Sequence, residues 1–276
     1  MQRDVITKVT GFKVMDGAGV QTLRLLAMNT MKDFDPYLTF DCFDSTNPAE
    51  YQAGFPGQPY RGIEVITYVK SGSMRHRDSL GNDTTVNSGE VEYVTAGSGI
   101  LQTSAFTPTE HLQSVRFWLN MPDSEKMNDP DYHIIKKEDT KYIEIDGAKI
   151  TLLAGTLGDS EGYQGKHLPL DLYDVEMAAN TTTVLPTPED RSVMIFVMNG
   201  EIKAGGTAIP EKSVAKLSQG DRITIEASSD ASFLVIGSLA TNERVVWGNT
   251  IIMTNERDVE KAYHELEKGT FLKIQG

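Results

Sequence analysis

Five histidines, one cysteine and a scatter of carboxylates are the reactive side chains available to this 276-residue chain. The histidines stand at His76, His111, His133, His167 and His264. None forms a His-x-His or His-x-x-x-His pair, so the spacing that usually seats a transition metal is missing. His76 reads as a strand residue bonding a neighbouring turn, and the others as surface residues. The lone Cys42 excludes an internal disulfide and a cysteine-based zinc site. Within Leu38-Thr39-Phe40-Asp41-Cys42-Phe43 it reads as a small buried hydrophobe. Glu64 is expected to pair with an arginine or face solvent, and Asp171, Asp174 and Glu176 to form a solvated edge. Gly200–Gly206 lacks the Lys-Ser/Thr of a phosphate loop, and no Gly-x-Ser-x-Gly nucleophile elbow is present.

The elements that must position these residues are short strands. Ile63, Val65, Thr67 and Val69 alternate with Glu64, Ile66, Tyr68 and Lys70, the period-two pattern of a half-buried strand. Ser71-Gly72 breaks it. A polar strand follows, then the turn Asp78-Ser79-Leu80-Gly81-Asn82-Asp83. Gly89-Glu90 launches Val91–Thr95, and Ala96-Gly97-Ser98-Gly99 precedes Ile100–Ser104. Val115, Phe117 and Leu119 alternate with Arg116, Trp118 and Asn120. Regularly spaced strands with glycine turns predict an all-β sandwich or barrel.

The length suits two domains. Met121–Asp139 is rich in Pro, Asp, Asn and Lys and reads as a connector, which sets domains at 1–130 and 131–276. The second half repeats the grammar of the first. Val193–Val197 is broken by Asn199-Gly200 as Val65–Val69 is by Ser71-Gly72, and Gly220-Asp221 starts Ile223–Ile225 as Gly89-Glu90 starts Val91–Val94. A terminal helix follows, capped by Thr254 or Asn255, with Val259, Ala262, Tyr263 and Leu266 on one face and Gly269 as its stop.

A formal net charge of −13 argues against direct nucleic-acid binding. No apolar window approaches the roughly 20 residues of a membrane span. The N-terminus lacks a signal-peptide core, so the cytoplasm is the expected location.

Several motifs occur in family order: Asp35-Pro36-Tyr37-Leu38, Arg61-Gly62-Ile63-Glu64-Val65-Ile66-Thr67-Tyr68, His76-Arg77-Asp78-Ser79-Leu80-Gly81-Asn82, Thr95-Ala96-Gly97-Ser98-Gly99-Ile100, Phe117–Pro122 and Met253-Thr254-Asn255. Together they resemble the pirin family of the cupin superfamily. The resemblance implies two cupin-type β-barrel or sandwich domains (a bicupin), with the short terminal helix added. It also implies one iron or other divalent metal in the N-terminal barrel, held by three histidines and a glutamate. The four matching positions here are Gln58, Tyr60, Gln102 and Ser104. Imidazole and carboxylate bind such metals through a basic lone pair or a charge, whereas four neutral side chains leave a buried dication uncompensated. No cofactor is therefore expected.

If the barrel folds as in pirins, these four side chains meet in the former metal pocket. They then bind a neutral polar or anionic small molecule, hold ordered water, or fill the pocket themselves. The expected function is that of a metal-free, pirin-like binding or regulatory module, with a small organic molecule in the N-terminal barrel or a protein partner. The alternative implied by the family is a metal-dependent flavonol (quercetin) 2,3-dioxygenase, whose chemistry needs the missing ligands.

Overall fold

Period-two patterning becomes strand nearly wherever the sequence shows it. In the computed structural model, which describes residues 1–274, the described residues form 26 strands and one α-helix, Glu256–Glu267. The strands build two units, each a sandwich of a seven-stranded and a four-stranded sheet.

The first strand, β1 (Val5–Thr10), belongs to the second unit. The first unit uses Phe12–Met31, Tyr37–Lys136 and the segment from Thr241 onward. Besides the short pair Val246–Gly248 and Ile251–Met253, its strands are β2 (Phe12–Asp16), β3 (Val20–Leu26), β4 (Tyr37–Ser45), β5 (Phe55–Tyr60), β6 (Ile63–Ser71), β7 (Ser73–Asp78), β8 (Asp83–Asn87), β9 (Glu90–Thr95), β10 (Ile100–Phe106), β11 (Leu112–Asn120) and β12 (Asp131–Ile135). The large sheet runs β12-β9-β6-β11-β4-β3-β2 and the small one β5-β10-β7-β8. The expected connector at 121–139 is more structured than its composition suggests. It holds the 3₁₀ turn Asp123–Glu125 and β12, and it buries Lys126, whose Nζ donates to Gly62 O and Asn120 Oδ1.

The second unit comprises Met1–Gly11, Lys32–Pro36 and Lys137–Ala240. Its large sheet repeats the strand order of the first. The edge place of β12 is taken by β1, which pairs with Ser213–Leu217 as β12 pairs with β9. The duplication is therefore present, with one shift in correspondence. Ser213–Leu217 matches β9, so the strand launched by Gly220-Asp221 (Arg222–Ala227) matches β10 and not β9. The intervening hairpin is cut to three residues a side, at Ile202–Ala204 and Thr207–Ile209, which displaces the turn signals.

The terminal helix starts as expected, with Asn255 Oδ1 accepting from Asp258 N at 3.0 Å. Its buried Ala262 packs with Ile251, Met253 and Phe271. Fully buried Arg61 holds this end in place. Its guanidinium donates to Ser98 O and Phe271 O, pairs with Glu265 at 2.8 Å, and lies 4.2 Å from the Phe271 ring centroid. No helix among the described residues is long and apolar enough to cross a membrane.

Candidate functional site

Strands β5 and β10 are antiparallel, with Gln58 opposite Gln102 and Tyr60 opposite Ile100. Directly paired residues share a face, as do residues two apart. Gln58, Tyr60, Gln102 and Ser104 therefore lie on one face of the small sheet, the inner one. The Tyr60 hydroxyl donates to Gln58 Oε1 at 3.2 Å. Burial pushes the Tyr60 phenol up to about 12, so it stays protonated. Gln102 is 4% exposed, and its Oε1 has no hydrogen-bond partner among the described residues.

The facing sheet contributes a row of polar residues. Its register aligns Asp41, Arg116, Thr67 and Glu92 across four neighbouring strands. Arg116 Nε donates to Thr67 Oγ1 at 3.1 Å, and Nη2 donates to Ser104 Oγ at 2.9 Å and to Met74 Sδ at 3.2 Å. The guanidinium carbon lies 4.6 Å from the Phe55 ring centroid. The Thr67 hydroxyl donates onward to Glu92 Oε2 at 3.0 Å.

Glu92 in turn meets His76, which is fully buried. Glu92 Oε1 is 2.7 Å from His76 Nδ1, and Asp78 Oδ2 is 2.8 Å from Nε2. Carboxylates at both ring nitrogens suit the imidazolium, since a neutral ring has one N–H to give. Burial works against the charge, but the two carboxylates outweigh it and hold His76 up to about 9. Asp78 is fixed by the turn read from the sequence, accepting from Leu80 N and Asn82 N. Tyr132 stacks on the imidazole at 4.3 Å. His76 is thus structural, as expected, but it also connects through Glu92 and Thr67 to Arg116.

Next to Arg116 lies a cavity of about 160 Å³. Gln58, Tyr60 and Arg116 line it together with Trp118, Trp247, Phe55, Asp41, Arg24 and Asp16. The two indoles stack with centroids 6.1 Å apart, and Tyr60 meets Trp118 edge-on at 5.8 Å. Arg24 takes up both carboxylates, with Nε and Nη2 on Asp41 at 2.8 Å each and Nη2 on Asp16 at 2.6 Å. Of the four positions singled out in the sequence, Gln58 and Tyr60 line the cavity. Ser104 reaches it through Arg116, and Gln102 shares the face without lining the cavity.

The second unit shows a largely apolar version of this layer, with Thr183 its one buried polar side chain on the strand matching β5. On the strands matching β5 and β10 it places Leu185, Ile223 and Ile225, all fully buried in one apolar cluster. Each is worth about 1.5–3 kcal/mol of burial.

The family model described as Pirin matches residues 19–119, and that of the Pirin C-terminal cupin domain matches residues 172–272. A Pseudomonas aeruginosa protein named "Putative quercetin 2,3-dioxygenase" is 30% identical, with 97% of each chain covered. This chain belongs to the pirin family. The "Pirin-like protein" of Caulobacter vibrioides is 29% identical over 98% of this chain and 99% of its own. The crystal structure titled quercetin 2,3-dioxygenase from Acinetobacter baumannii superposes with a TM-score of 0.91 at 25% identity, covering 98% of this chain and 99% of that one. The cupin-type bicupin fold is thereby established.

The side chains at the four positions that the pirin resemblance matches to metal ligands do not fit a metal. They are two amides, a hydroxyl and a phenol held neutral, and a guanidinium nitrogen already sits 2.9 Å from Ser104 Oγ. A fixed cation at that place repels another. Among the described residues no three or more His, Cys, Asp or Glu side chains are grouped to hold a metal ion.

Several other residues depart from expectation. Glu64 neither pairs with an arginine nor faces solvent. It is fully buried and accepts from Tyr93 Oη at 2.7 Å and Thr95 Oγ1 at 3.2 Å, and burial lifts it to about 7. Asp171 and Asp174 are buried, not a solvated edge, and Arg191 pairs with Asp171 at 2.9 Å. Sequence reasoning misses Arg116 altogether. Its strand has no solvated face, so the alternation with Val115, Phe117 and Leu119 separates two buried faces instead of core from surface. The available signal is a lone charge in each of three apolar runs: Asp41, Glu92 and Arg116.

Proposed function

We propose that this pirin-family chain is a metal-independent binding module whose N-terminal cavity takes a small polar organic molecule. One observation carries the reading: the guanidinium of Arg116 stands against Ser104 at the edge of a cavity, whereas the counterpart layer in the second unit carries Leu185, Ile223 and Ile225 with Thr183 as its one polar side chain. Keeping buried amides and a buried cation costs stability unless they meet partners. A ligand that satisfies them gives this layer a use that an apolar core lacks. The reading locates function in the cavity rather than on a partner-binding surface, because the cavity is where buried polar groups of the first unit gather.

Metal analysis of purified protein, before and after incubation with iron, manganese, nickel, copper and zinc, tests it. Occupancy far below one ion per chain is expected. One tightly held ion per chain would overturn the metal-independent reading. The second reading, oxygen-dependent cleavage of a flavonol, is favoured by the names of full-length relatives. Turnover of quercetin by metal-supplemented protein, lost on Tyr60→Phe, would establish it in place of the first.

A further inference from the structure

Arg116 is an incompletely partnered cation. The residue is 5% exposed, and the groups its guanidinium bonds to or stacks on are neutral, two hydroxyls, a thioether and the Phe55 ring, while its charge acts at longer range on Asp41 across the strand pair. Other arginines of the same unit are treated differently, since Arg24 reaches Asp41 and Asp16 and Arg61 reaches Glu265. The carboxylates lining the cavity are Asp16 and Asp41, and Arg24 engages both. The hydrogen bonds of Arg116 run from Nε and Nη2, and the residue lines the cavity. Nε2 of half-buried Gln58, whose Oε1 is occupied by Tyr60, is a second donor at the same wall. The carboxylate that Arg116 acts on, Asp41, is already held by Arg24, and a guanidinium edge and an amide N–H₂ lining one cavity present donors that a carboxylate accepts.

The rest of the wall selects the shape. The indole pair and the edge of Tyr60 give a flat aromatic surface. The volume of about 160 Å³ is well under the roughly 300–1,000 Å³ of sites for drug-sized ligands, which limits the occupant to about one ring. We propose that the N-terminal cavity binds a small planar single-ring acid, its carboxylate on Arg116 Nη1 and Gln58 Nε2 and its ring against Trp118, Trp247 and Tyr60. This assignment rests on the binding reading above and adds the chemical class of the ligand.

The chain has two tryptophans, and both line this cavity, so indole emission reports its occupancy directly. Full-length protein is titrated with benzoate and 4-hydroxybenzoate and, in parallel, with benzamide and 4-hydroxybenzamide, which have the same size without the charge. The expected result is a saturable emission change with each acid and at least about tenfold weaker binding of each amide. Arg116→Gln should level the two. Arg116→Lys, which keeps the charge and serves if Arg116→Gln does not fold, should retain a preference for the acids at reduced affinity. Amides that bind as tightly as acids would overturn the carboxylate assignment and leave the binding reading standing. No saturable change with any of the four would overturn both.

Discussion

Replacing His76 by Gln should remove a pH-dependent part of the stability of the N-terminal unit, and the structure sets its sign and size. The imidazole between Asp78 and Glu92 is held at about 9 against 6.5 for an unpaired histidine. A raised histidine stabilises the fold fully below its unfolded value and loses that contribution as pH climbs through its folded value. A tenfold change in proton affinity corresponds to about 1.4 kcal/mol, so the contribution is at most about 3 kcal/mol, present near pH 6 and gone above about pH 9. Other groups of the unit titrate in the same range. Glu64, raised by burial to about 7, loses stability as pH rises from the ordinary carboxylate range. Lys126, pushed down by burial to about 8, gains stability between there and its ordinary value near 10.5. A profile of the parent protein alone would blend these slopes, so the difference between parent and variant is the informative quantity. Urea unfolding followed by indole emission isolates this unit, since Trp118 and Trp247 both belong to it. The parent-minus-variant difference should shrink by about 3 kcal/mol between about pH 6 and about pH 10. A difference that stays flat over that span would show that His76 is neutral in the fold and would refute the imidazolium bridge.

Further outcomes follow from the same unit. Gln102→Leu removes a buried amide whose Oε1 has no partner among the described residues. It should raise the unfolding free energy by about 1–3 kcal/mol, and a measured loss of stability would mean that the amide is satisfied in solution. Arg61→Ala removes the bonds to Ser98 O and Phe271 O and one of the two cations on Glu265, which keeps Lys273. A cost of about 1–3 kcal/mol is expected from the lost hydrogen bonds of a buried guanidinium, with amide-exchange protection falling first in the helix Glu256–Glu267. Unchanged protection there would show that Arg61 does not hold the terminal segment.

Much of the fold is legible from local pattern. Strand alternation, glycine turns, the capped terminal helix and the doubled grammar each depend on residues a few places apart, and period-two burial is a local property of extended backbone. The absence of imidazole and carboxylate at positions 58, 60, 102 and 104 is equally plain, because it concerns residue type alone. What replaces those ligands is not legible. Arg116 reaches Ser104 across the sandwich, and Thr67 and Glu92 line up with it by strand register, which no window of sequence contains. The same holds for Glu64 and Asp171. Each lies in a strand buried on both faces, where alternation no longer separates core from solvent. The exchange of terminal segments is also decided in three dimensions. β1 fills an edge of the second unit's sheet, while the chain from Thr241 onward completes the first. Sequence alone determined a two-copy β fold and the residue types Gln, Tyr, Gln and Ser at positions 58, 60, 102 and 104. Tertiary structure decided that a buried arginine stands among those positions, because charge placement depends on which strands become neighbours.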